Sequence, residues 1–129
     1  GSAWQQARET EKALEPLKQA AEKSDTGKTW ARLAMVYLDL DENTKAVKAA
    51  QNALKKRQLK YPSYTQMTLG NALVNLNCYR KAAEVFGKAA KYKKSEKTAK
   101  QWQTYVLAEA DRRDSLIEGG AKIEVCKRL

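Results

Sequence analysis

The stretch Trp30-Ala31-Arg32-Leu33-Ala34-Met35-Val36-Tyr37 decides the fold, because its W-x2-L-A-x2-Y spacing, with small residues following at Ala46, Ala50 and Ala53, returns 36 residues later. The second occurrence reads Gln66, Leu69, Gly70 and Leu73, then Ala82, Phe86 and Ala89. A shift of 33 residues toward the amino terminus lands on Trp4, Ala13, Leu17 and Ala20, so the chain carries one truncated and two complete copies of one unit. Residues three and four apart share a helical face, so each copy reads as two amphipathic helices. A two-helix unit of about 34 residues cannot bury its apolar face alone and must stack on its neighbours, which generates a curved binding surface.

Outward from that stretch, Ala, Lys, Leu, Glu and Gln dominate and β-branched runs are absent. The expected fold is therefore all-α: an α-solenoid of antiparallel helix pairs with a C-terminal capping helix. The expected divisions are a partial repeat over 3–26, repeats over 27–61 and 62–95, a capping helix over 96–117 and a tail over 118–129. In the partial repeat, a helix fragment holds Trp4 and a second helix starts near Thr10, with Ala13, Leu14, Leu17, Ala20 and Ala21 inward and a slight bend at Pro16. Helices over 28–40, 44–59, 63–76 and 80–90 follow, and the seventh and last opens after Ser95 with an apolar stripe of Ala99, Trp102, Tyr105, Val106 and Ala108. Two residues beyond the usual period fall near Lys55 to Tyr61, just before Pro62. Glu109 stands where Tyr37 stands in the first complete copy, which gives the last helix the polar face of a cap. Gly119-Gly120 breaks that helix, and residues 121–129 are expected to be frayed or loosely docked.

A chain of 129 residues with 43% hydrophobic content is large enough for one domain with a core. No stretch approaches the roughly 18 apolar residues of a membrane span, and no positively charged start followed by an apolar stretch is seen in the sequence. Gly1-Ser2 has the look of a protease-cleavage scar and the repeat arithmetic begins inside a helix, so a piece of a longer protein is expected. Net charge is +10; residues 43–83 hold eight basic side chains and no acidic one, and residues 88–100 add six lysines against Glu96 alone. Such a belt attracts anionic partners over a distance that salt shortens. With no histidine, Ser-His and Cys-His nucleophiles, histidine bases and histidine-containing zinc sites are all excluded. The chain is accordingly expected not to be an enzyme and to carry no metal or cofactor. Cys78 and Cys126 lack CxxC spacing and are expected as free thiols, a disulfide between them requiring an oxidising compartment.

The Trp/Leu/Gly-or-Ala/Tyr quartet followed by Ala, Phe-or-Ala and Ala resembles the tetratricopeptide repeat over residues 3 to about 110. It departs from that pattern in lacking a closing proline near Gln58 and Lys94 and in having Leu73 for the aromatic. More narrowly, Trp30–Leu38, Leu69–Leu76 and Ala99-Lys100-Gln101-Trp102 resemble the C-terminal part of bacterial tetratricopeptide proteins encoded beside TonB-type systems. That resemblance implies a periplasmic accessory protein of outer-membrane transport, with the bacterial cytoplasm as the alternative location.

The resemblance further implies a concave groove lined by the first helix of each pair. Lys28, Ala31, Met35, Leu38 and Asp39 would come from one repeat and Tyr64, Met67, Asn71, Val74 and Asn75 from the next, with Lys100, Gln103 and Leu107 completing the wall. The groove residues expected to bind a protein or peptide partner are Lys28, Met35, Tyr64, Met67, Asn71, Asn75 and Lys100. Asn71 and Asn75, four apart, could hold a peptide backbone through side-chain amides. The set of Lys, Asn and Arg residues by which some relatives grip a C-terminal carboxylate survives only as Asn71 and Lys100.

Lys45, Lys48, Asn52 and Lys55 run along a second helix on the convex side, where a solvated face competes with the alternative of polyanion binding to nucleic acid or acidic lipid. Nucleic acid would call for exposed aromatics, and Trp30, Tyr37, Tyr79 and Phe86 are better placed as core, which argues against it. Thr26-Gly27-Lys28-Thr29 echoes a phosphate loop but has Glu22 at the required earlier glycine, and is assigned as a helix break and cap. Apolar surface left around Trp4 by the truncated repeat makes self-association a further expectation.

Overall fold

The computed structural model describes residues 3–23, 27–56, 59 and 61–126, with side chains at Lys12 and from Leu14 onward. Its described residues form six helices and no strand: α1 (Ala3–Lys23), α2 (Gly27–Asp39), α3 (Asn43–Lys55), α4 (Pro62–Asn75), α5 (Tyr79–Ala89) and α6 (Glu96–Glu118). Each helix packs on the next in sequence, and α2 also touches α4. No helix among the described residues is long and apolar enough to cross a membrane.

Burial follows the 36-residue register. Both members of the pairs Leu33/Leu69, Ala34/Gly70, Tyr37/Leu73, Ala46/Ala82, Ala50/Phe86 and Ala53/Ala89 are buried, whereas Trp30 and Gln66 are half-covered. One exchange between the copies is coupled. Where the first has the buried Ala34 and Ala50, the second has Gly70 against Phe86, and a Cβ on Gly70 would stand 2.5 Å from the Phe86 ring. The missing methyl is what admits the phenyl group, which is fully buried and also stacks on Trp102 with centroids 6.2 Å apart.

The helix ends repeat as well. At the end of α2, Glu42 N–H donates to the Tyr37 carbonyl at 2.8 Å and Asp41 N–H to Leu38 at 3.0 Å. At the end of α4, Cys78 N–H donates to Leu73 at 2.8 Å and Asn77 N–H to Val74 at 2.9 Å. At the end of α6, Ala121 N–H donates to Leu116 at 2.9 Å and Gly120 N–H to Ile117 at 3.0 Å. All three are Schellman closures, each turning on a left-handed residue: Asp41 (φ 60°), Asn77 (φ 65°) and Gly120 (φ 92°). Asp and Asn tolerate that region better than other side chains, so the chain reverses tightly into α3 and α5.

Four expectations are corrected. The amino-terminal segment is one helix of 21 residues with no break near Thr10, because Gln, Ala, Arg and Glu flank that threonine and nothing nearby stops a helix. The described chain therefore has six helices where seven were expected. Leu14 and Leu17 pack against the core and Ala21 is 1% exposed, but Ala20 faces solvent; Ala13 lies outside the described side chains.

Along α6, Ala99, Val106 and Ala110 are buried, while Trp102, Tyr105 and Ala108 of the expected stripe are exposed. Helices α2 and α4 each lie between neighbours, but α6 packs on α5 and is followed by an extended tail over 121–126 instead of another helix. The face that Leu33 and Leu69 bury is thus open at Tyr105, and Glu109 there pairs with Arg112, whose guanidinium hydrogen bond holds that carboxyl below its ordinary range.

Finally, Cys78 and Cys126 form a disulfide, not free thiols. It docks the tail over 121–126, which Arg113 also holds by donating to the Glu124 carbonyl and Asn77 by donating to the Glu124 carboxylate at 3.3 Å. The Gly120 turn brings the two cysteines together by sending the tail back toward the start of α5.

Candidate functional site

Between α2 and α4 lies an open cleft of about 580 Å³. Its walls come from equivalent positions on the two helices: Lys28 with Tyr64, Ala31 with Met67, Arg32 with Thr68, and Met35 with Asn71, each pair 36 residues apart. Thr65 adds to the α4 wall, and Leu59 and Tyr61 close one end from the α3–α4 connection. Since these positions follow each other by three or four residues, each helix presents a continuous edge to the opening.

The cleft is apolar along its length and positive at one end. Met35 is 55% exposed and Tyr64 57%, an unusual amount of uncovered apolar surface for facing helices. Met67 reaches down to the core. The Tyr61 and Tyr64 rings meet edge to face at 5.9 Å, and the Lys94 ammonium sits 5.1 Å over the Tyr61 ring. Among the described residues no carboxylate lines the cleft. Lys28 and Arg32, one turn apart, take part in no ion pair, whereas Arg80, Lys100 and Arg112 each engage an acidic side chain.

Of the residues expected to bind a partner, the structure brings Lys28, Met35, Tyr64, Met67 and Asn71 together in this cleft. Asn75 lies outside it, one turn further along α4, where its amide donates to the Asn43 Oδ1 at 3.0 Å and Asn43 in turn donates to the Asp41 carboxylate at 2.9 Å. Lys100 is on α6 and bonds Glu96 at 2.9 Å. Gln103 does not face a groove; its amide donates to the Ala83 carbonyl at 3.1 Å, joining α6 to α5. Comparisons with protein-family models, with curated proteins and with solved structures found no match.

Sequence reasoning missed Arg32, Leu59, Tyr61, Thr65 and Thr68 as lining residues. Arg32 and Thr68 were within its reach, being register equivalents one position from named residues; Leu59 and Tyr61 lie in a connection where no period applies.

Other candidates resolve differently. Lys45, Lys48 and Lys55 are exposed on α3, with the Lys45 ammonium 5.9 Å over the Tyr37 ring. Gly27 begins α2, and a Cβ there would meet the Ala53 carbonyl oxygen at 2.6 Å, so this glycine lets α2 and α3 approach closely. Thr26 and the side chain of Trp4 lie outside the described residues. Arg80 bridges Asp111 at 3.0 Å and Asp114, tying α5 to α6, and the two carboxylates raise its already high pKa. Among the described residues no cluster of His, Cys, Asp and Glu could hold a metal ion.

Proposed function

We propose that this chain is a non-enzymatic binding module, a short right-handed α-solenoid of the tetratricopeptide type that takes an extended peptide or protein segment into the cleft between α2 and α4. The cleft carries the proposal: about 580 Å³ of open space edged by exposed Met35 and Tyr64, with the Asn71 amide at the same wall. Thioether and aromatic side chains adapt to different apolar partners, and the neighbouring amide can pair with a peptide backbone. In favour of the solenoid are the stepwise packing of successive helices, the contact of α2 with α4, and the recurrence of burial and turn geometry.

The proposed setting is the periplasm, in the service of a TonB-type transport system. The Cys78–Cys126 disulfide supports an oxidising compartment, while the TonB assignment rests on the sequence resemblance alone.

A heptapeptide selected on the purified chain from a random displayed library provides the ligand for the test. Titrated by fluorescence anisotropy, it should bind Asn71→Ala and Met67→Ala about fivefold or more weaker than the parent chain, and Asn75→Ala unchanged. Full affinity in the first two variants, or an equal loss in Asn75→Ala, would remove the cleft as the binding site.

A further inference from the structure

We propose that the segment seated in the cleft is acidic as well as apolar, with a carboxylate side chain held by Lys28 and Arg32 and an apolar side chain two or three residues away among Met35, Tyr64 and Met67. This rests on the cleft being the binding site, and adds to it the chemistry of the occupant.

Charge complementarity favours that occupant. Lys28 and Arg32 lie on one edge of α2, unpaired, in a cleft whose described lining residues include no acidic one, and Lys94 adds a third positive charge at the rim over Tyr61. By contrast, Arg80, Lys100 and Arg112 are each paired with a carboxylate of this chain.

The spacing follows from helix geometry. Lys28 and Met35 are seven residues apart, or roughly 10 Å along a helix at 1.5 Å per residue. An extended peptide covers that distance in about three residues, and Arg32 offers the same carboxylate a nearer position.

The test is to select from a displayed random heptapeptide library fused at its carboxyl end, which removes any chain-end carboxylate, at physiological salt. The parent chain should enrich peptides carrying Asp or Glu two or three positions from a large apolar residue. The variant K28E/R32E should bind the best of these about tenfold or more weaker, and should bind its Lys-for-acid counterpart better than the parent chain does, a gain that an unfolded variant could not produce. Enrichment of apolar peptides without acidic residues, or of acidic ones that bind K28E/R32E equally well, would overturn the proposal while leaving the cleft as a peptide site. No enrichment on the parent chain would overturn both.

Discussion

Phe86→Ala should cost about 3–5 kcal/mol of folding stability, the range for emptying a fully buried phenyl site. Phe86 is 0% exposed, lies against Gly70 of α4 and stacks on Trp102 of α6, so its loss loosens three helices together. Urea denaturation followed by circular dichroism measures the change. A companion substitution separates packing from hydrophobicity. Gly70→Ala alone should destabilise, because its new methyl meets the Phe86 ring at 2.5 Å. In the Phe86→Ala background the same change should be neutral or stabilising, since the double variant has alanine at both positions, as at the register equivalents Ala34 and Ala50, both 0% exposed. Strongly non-additive energies are thus expected for residues in contact. Simple additivity would mean that the two copies do not share one packing scheme.

Cys126→Ser should lower stability by up to about 4 kcal/mol on the chain-entropy account of cross-links, because the bond joins residues 48 apart in sequence. Adding a reductant to the parent chain should produce the same loss, and the variant should be indifferent to reductant. Residues 121–126 should at the same time become accessible to protease, since Glu124 is their other attachment, through Arg113 and Asn77. Equal denaturation midpoints with and without reductant would contradict this role.

Helix existence was legible in the sequence because apolar residues recur with a helical period, and the ends of α2, α4 and α5 fall within a residue or so of expectation. The resemblance to the tetratricopeptide repeat implied a groove holding Lys28, Met35, Tyr64, Met67 and Asn71, and these five do line one cleft. The resemblance could not show how far a shared wall extends. Asn75 continues the α4 edge by one turn, but there the start of α3 supplies Asn43 as a partner. Lys100 holds the position of Lys28 two copies on, yet its helix packs on α5 and it pairs locally with Glu96.

The disulfide was hidden for another reason. Cysteine spacing says nothing about a tail that reverses at Gly120. The open face of α6 was misjudged because amphipathic pattern reports which side could be buried, not whether a neighbour arrives to bury it.

Backbone amide shifts of the isotope-labelled chain, recorded while the selected heptapeptide is added, address the cleft most directly. The account predicts that the largest changes fall at residues 28–35 and 61–71, on both sides of the opening between α2 and α4. Changes concentrated on α3 around Lys45 to Lys55, or on the exposed face of α6 around Trp102 and Tyr105, with the cleft residues unmoved, would contradict it.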